Sequence, residues 1–253
     1  MDLSKRYETN GETLCAYEKI SFQVQQREFV CLLGPSGCGK TTLLKTIAGL
    51  ELPSGGELFV GSSASNLEPE VSMVFQEQGL FPWMNVYKNL SFILENNPSI
   101  DNKEIPGLVN EFLEKVGLDK FASYYPHQLS GGMRQRVSIA RAFVTRPEIM
   151  LMDEPFVFLD FQTRLKLHAL LLSLWQSYRK TVLFVTHDIE EAVLLADRVF
   201  VMTSRPGTIK EIIDIKLQRP RDIFEIRHST EFLEYTRSIT DLLKEEMLLS
   251  EEN

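Results

Sequence analysis

Three short stretches of this chain carry residue types at spacings suited to phosphate chemistry. Gly34-Pro35-Ser36-Gly37-Cys38-Gly39-Lys40-Thr41 follows the pattern G-x-x-x-x-G-K-[ST]. Its glycines let backbone amides close on phosphate oxygens where a Cβ would stand in the way. Lys40 reaches the β- and γ-phosphates in such a loop, and the Thr41 hydroxyl ligates Mg²⁺. The second stretch is an apolar run ending in Asp153 and Glu154. Two adjacent acids after a strand are by themselves an ordinary solvated turn. Beside a phosphate loop they read differently: Asp153 holds Mg²⁺, and Glu154 polarises the attacking water. The third is Leu129-Ser130-Gly131-Gly132-Met133-Arg134-Gln135-Arg136. Ser130 is a natural helix N-cap, and the two glycines bare the amides behind it, which makes a second anion-binding helix start. Gln76 and His187 each follow an apolar strand and could reach the γ-phosphate or its water.

These residues must be held by strands and helices of predictable kind. The phosphate loop needs a buried strand before it and a helix after it; 29–33 and 40–48 supply them. Further apolar strands are predicted at 71–75, 149–152, 182–185 and 199–202, and another at 57–61. Between them the apolar spacing is helical, so the core reads as a largely parallel sheet with crossover helices. Residues 1–28 alternate in places, at Ile20, Phe22 and Val24, and predict half-buried antiparallel strands. Residues 85–128 read as mainly helical, with breaks at Pro98, Pro106 and Pro126. Met133, Val137, Ala140 and Val144 give the helix after Ser130 its apolar face, and Arg146-Pro147 ends it. Beyond 219, Phe232, Tyr235, Ile239, Leu242 and Leu243 mark one face of a terminal helix, and the end is acidic, with Glu245, Glu246, Glu251 and Glu252. A packed terminal helix with a frayed tip is the default; a regulatory or dimer-contact role is the alternative.

Composition narrows the function classes. The 253 residues include 43% hydrophobic types, enough for a real core. Net charge is −8 and there is no dense basic run, which argues against nucleic acid as a partner. No apolar run approaches the roughly 18 residues needed to span a bilayer, and the first residues lack the apolar stretch of a signal peptide. Cys15, Cys31 and Cys38 have no metal-ligand spacing.

Taken in order, the phosphate loop, Gln76, the Leu-Ser-Gly-Gly-Met-Arg-Gln segment, Asp153-Glu154 and His187 resemble the ATP-binding subunits of ABC transporters. The resemblance covers nearly all of 1–218, leaving 219–253 as a helical extension. It implies an α/β fold, a P-loop NTPase of ABC ATPase type: a mostly parallel core sheet with an antiparallel β subdomain and a helical subdomain inserted at about 77–145. It implies ATP and Mg²⁺ as ligands. Gly34 to Thr41 would hold the phosphates, with Thr42 at the α-phosphate. Gln76 would sense Mg²⁺ and γ-phosphate, and His187 would hold water, base and phosphate in register. Tyr7 is similar to the aromatic that stacks on adenine, with Tyr17 as a fallback, and Asp160 to the aspartate after the catalytic acid. Two such subunits, identical chains by default, would pair head to tail, so that Ser130, Gly131, Gly132 and Gln135 of one close over nucleotide held by the other. The implied partners are an integral membrane permease and, indirectly, an extracytoplasmic solute-binding protein. The implied location is the cytoplasmic face of the membrane.

Gln76 to Val86, Met202 to Ile209 and Arg219-Pro220-Arg221 resemble the nitrate/sulfonate/taurine importer branch, which includes importers of pyrimidine vitamin precursors. Two departures stand out. Val157 and Phe158 occupy places that are usually small in the family, and Arg27 stands where it commonly has glycine.

Overall fold

The structure is a computed structural model that describes residues 2–9, 12–61, 71–77 and 79–251. Gln78 and Glu252 lie outside the described residues. β1 (Leu3–Thr9) and β2 (Glu12–Ile20) pair antiparallel, as the alternation predicted. Ile20 ends β2, whereas Phe22 and Val24 lie past it and pack against the core as coil.

β3 (Phe29–Leu33) is buried at every residue, which is why its sequence shows no alternation. It lies inside a six-stranded sheet with β4 (Val71–Val74), β5 (Ile149–Asp153), β6 (Thr181–Thr186), β7 (Arg198–Met202) and β8 (Ile209–Asp214). The order is β4-β5-β6-β3-β7-β8, all parallel except the β7–β8 edge. Leu33 lies opposite Thr186, and Asp153 opposite Val185. The carboxyl ends of β3, β5 and β6 therefore finish side by side, the usual place for a ligand in such a sheet. α1 (Lys40–Ile47) begins there.

The segment 57–61 forms no strand, contrary to expectation. A strand needs a ladder partner. Among the described residues the bridge nearest the segment, Ser4–Gly55, stops short of it, and Phe59 is 82% exposed. Between β4 and β5 lie α2 (Val86–Glu95), α3 (Ile105–Lys115) and α4 (Gly131–Val144), the inserted helical subdomain. Pro106 does not break a helix. It sits in the first turn of α3, where a missing N–H costs nothing.

α5 (Phe161–Tyr178) and α6 (Ile189–Leu195) follow β5 and β6 and cover the sheet. α7 (Thr230–Glu251) buries Phe232 and Ile239 on the predicted face. The chain leading to α7 is fastened by a buried arginine. Arg221 Nη1 donates to the carbonyls of Val193, Leu194 and Ala196, and Nη2 to those of Ile215 and Leu217. One guanidinium thus satisfies carbonyls that α6 leaves open at its end. Burial pushes its pKa down to about 10.

The positive-φ turn expected of glycine survives at Arg27, with φ 64°. Its amide donates to Thr181 Oγ1 at 3.0 Å, which helps offset a backbone strain of roughly 1 kcal/mol.

Candidate nucleotide site

The loop between β3 and α1 is shaped by close backbone approach. Gly39 has φ 97°, and a Cβ there would stand 2.6 Å from Ala16 O on β2. No side chain caps the start of α1. Lys40 is only 4% exposed, and its Nζ donates to Gly34 O at 2.8 Å and Pro35 O at 2.9 Å. Behind the loop, Thr41 Oγ1 donates to Asp153 Oδ1 at 2.8 Å. Asp153 is 3% exposed. Burial raises its pKa, and nearby Glu154 adds to the rise; the Thr41 bond, Lys45 and Lys40 oppose it.

Glu154 has φ 43°, a strained conformation for a residue with a side chain. Its amide donates to Val185 O at 3.0 Å, which turns the carboxylate off the end of the sheet. His187 Nδ1 lies 3.1 Å from Glu154 Oε2. The loop that carries His187 is braced from below. Asp188 caps α6 through Glu191 N at 3.1 Å and pairs with Arg164 at 3.2 Å. Thr186 Oγ1 donates to Glu191 Oε2 at 2.6 Å, and Glu191 Oε1 meets the buried His168 Nε2 at 2.9 Å.

A cleft of about 360 Å³ opens over Lys40, Thr41 and Glu154. Asp153 and His187 are not in its lining; His187 lines a neighbouring hollow with Arg164, His168 and Asp188. Of the residues singled out in the sequence, Tyr7, Ser36, Gly37, Gly39, Lys40, Thr41, Thr42, Gln76 and Glu154 line it. Gly34, Pro35 and Cys38 support the loop from behind; Cys38 is 1% exposed, and a Cβ on Gly34 would crowd Met202 at 3.0 Å. Tyr17 is fully buried, with its hydroxyl bonded to Thr46 Oγ1 at 2.8 Å, so it offers no stacking face. Tyr7 is half-buried and lines the cleft. Its hydroxyl bonds Glu51, and Lys5 Nζ sits 4.8 Å from its ring centroid.

Ser130, Gly131, Gly132, Gln135 and Asp160 are not part of this cleft. Ser130 is exposed and caps α4, accepting from Met133 N at 3.3 Å. Gly132 packs on the start of α5, where a Cβ would meet Thr163 Cγ2 at 2.5 Å. Asp160 caps α5 through Thr163 N at 3.0 Å, a bond that lowers its pKa. Gln135 faces inward, 1% exposed, with both amide atoms unpaired. The structure therefore places it away from the exposed end of α4.

The sequence reading missed Glu51, His168, Glu191 and Arg205. Glu191 and His168 sit among apolar helix residues, and nothing local marks their pairing. Arg205 lines the cleft from a loop far along the chain. Phe158 is 72% exposed beside the buried Phe156, and Val157 is half-buried, so of the bulk noted at 157–158 it is the phenyl ring that faces outward.

Residues 17–157 match the family described as ABC transporter. The chain is 49% identical to an uncharacterised ABC transporter ATP-binding protein of Methanocaldococcus jannaschii, over 98% of this chain and 92% of the relative. It is 41% identical to the nitrate import ATP-binding protein NrtD of Synechocystis, over 96% of this chain and 93% of that one. It is 40% identical to the aliphatic sulfonates import ATP-binding protein SsuB of Bacillus cereus, over 94% and 92%. A solved ATP-binding cassette, described as the dimeric post-hydrolysis state bound to ADP and Pi, superposes with a TM-score of 0.73 at 30% identity. It covers 86% of this chain and 98% of its own.

Proposed function

Because the chain belongs to the ABC transporter family, we propose that it is the ATP-hydrolysing subunit of an importer, energising uptake of a small solute through a membrane permease. The observation that carries this is a cleft lined by Lys40, Thr41, Gln76 and Glu154, with Asp153 bonded to Thr41 and His187 bonded to Glu154.

The donor set suits Mg²⁺, which favours hard oxygen ligands: the Thr41 hydroxyl, the Asp153 carboxylate and the Gln76 amide oxygen. When bound, the ion would neutralise charge between the β- and γ-phosphates. Lys40 and the loop amides stabilise negative charge on the transferred phosphoryl group. Glu154 takes the proton of the attacking water. His187, bonded through Nδ1 to Glu154, would hold that carboxylate in register with water and phosphate. Tyr7 provides the stacking face for adenine.

The exposed N-terminus of α4 supports head-to-tail pairing, since Ser130 and Gly132 have no role at their own cleft. A structural neighbour is itself described as dimeric. Exposed aromatics near Gln76, with Trp83 70% and Phe75 40% exposed, suit docking to a permease segment. That makes the subunit peripheral on the cytoplasmic face; among the described residues no helix is long and apolar enough to cross a membrane. The solute class follows the relatives: nitrate- or sulfonate-like anions, with pyrimidine-type vitamin precursors as the wider alternative.

The test is uptake of labelled nitrate, taurine and alkanesulfonates in cells carrying the wild-type chain or Glu154→Gln. Loss of one uptake activity with Glu154→Gln supports the reading. ATP turnover by the purified chain with every uptake unaffected would contradict the importer role.

A further inference from the structure

Arg205 is a cleft residue that the reaction scheme does not use. It sits between β7 and β8 and lines the cleft near Ser36 and Gly37. Its guanidinium makes a fork on one acceptor: Nε donates to Gly37 O at 3.1 Å, and Nη2 donates to the same oxygen at 3.0 Å.

Gly37 is where the phosphate loop passes through the left-handed region, with φ 81°. A glycine peptide can flip at small cost, and a flip here would exchange an amide for a carbonyl on the anion side. The Gly37–Cys38 peptide is held at both ends. Arg205 takes its oxygen, and Cys38 N donates to Pro35 O at 3.4 Å.

The loop that carries Arg205 is pinned from three directions. Gly207 N donates to Ala16 O at 3.1 Å, and Glu18 N donates to Gly207 O at 3.0 Å, which ties the loop to β2. Gly207 also lies so near the phosphate loop that a Cβ would stand 2.0 Å from Cys38 O. From the far side, Glu246 of α7 accepts from Ser204 N at 3.2 Å and pairs with Lys210 at 3.0 Å. Glu246 is 6% exposed, so this strut is shielded from water.

We propose that Arg205 is a positioning residue of the nucleotide site, holding the Gly37 peptide so that the loop amides stay on the phosphate side, with α7 bracing the loop that carries it. This inference rests on the reading of the cleft as an ATP site.

The test measures ATP and adenosine affinity by calorimetric titration for Arg205→Ala, Arg205→Lys and Lys40→Ala, with melting temperature without nucleotide alongside. Arg205→Ala weakens ATP binding by about tenfold, the scale of one charge-assisted hydrogen bond. Adenosine affinity and melting temperature stay at the wild-type values, and Arg205→Lys recovers part of the loss. Turnover at saturating ATP falls as well, since the same amides face the transferred phosphoryl group, and Arg205→Lys recovers part of that loss too. Should Arg205→Ala not fold, Arg205→Met, which keeps the stem and lacks the donors, is read the same way. ATP affinity unchanged in a folded Arg205 variant would overturn the proposal. So would an equal loss of ATP and adenosine binding together with a lower melting temperature, which is the mark of a purely structural role. Lys40→Ala separates the two levels. If it loses ATP while the Arg205 variants do not, only the Arg205 assignment fails. If it too binds ATP normally, the phosphate-loop reading fails.

Discussion

Two helix starts in this molecule present backbone amides next to glycines, and they are finished in opposite ways. The start of α1 has no side-chain cap, sits in a cleft and is backed by buried Lys40 and Asp153. The start of α4 is capped by its own Ser130, is exposed, and lies outside that cleft. The first is lined and backed by residues of one chain. The second is a rigid edge, seated on α5 through Gly132 and Thr163. Under the proposed pairing, that edge meets nucleotide held by another copy.

The comparison can be broken at the α1 side first. Lys40→Ala removes the buried cation from the phosphate loop, and titration with ATP should show affinity reduced by two orders of magnitude or more, about 3 kcal/mol. Glu154→Gln keeps nucleotide binding but loses the base; turnover should fall by about 10²–10⁴-fold. Gel filtration with ATP and Mg²⁺ should then show an accumulated dimer, and only monomer under those conditions would count against pairing. At the α4 side the pattern inverts. Ser130→Arg should abolish turnover while leaving ATP affinity of the isolated subunit within about twofold, since Ser130 is outside its own cleft.

Smaller effects sharpen the contrast. Gly132→Ala should cost about 1–3 kcal/mol in denaturant unfolding, because the new methyl overlaps Thr163 Cγ2. Adding Thr163→Ser removes that methyl group and should return most of the loss; a strictly additive double mutant would show that the contact is not the cause. Ser130→Ala should cost about 1 kcal/mol as a lost cap.

The sequence was most legible where chemistry and structure coincide over a few residues. The phosphate loop and the acids after β5 announce themselves because strand, turn and ligand groups are contiguous. Buried parallel strands were legible as unbroken apolar runs. The edge strand β8 was not, because Ile209–Asp214 is half-exposed and mixes charges among its isoleucines. Segment 57–61 misled because its apolar residues lie exposed rather than on a buried face, Phe59 at 82%. Long-range pairs were illegible altogether. The Arg221 fastening, the His168–Glu191 brace and the Arg205 fork each join residues from separate elements, and no local pattern encodes them. Asp160 caps α5 and Gln135 is turned inward, placements that residue order alone does not reveal.

The central claim is that the α4 start of one copy completes the cleft of another. The most direct measurement mixes two variants that are each inactive alone, Lys40→Ala and Ser130→Arg, and follows ATP turnover as their ratio changes. In a head-to-tail pair, the mixed dimer concentrates both lesions in one site and leaves the other site intact. Turnover should therefore appear in the mixture and peak near equal proportions. A mixture as inactive as its two components, while the same variants are seen to form mixed dimers, would contradict the account.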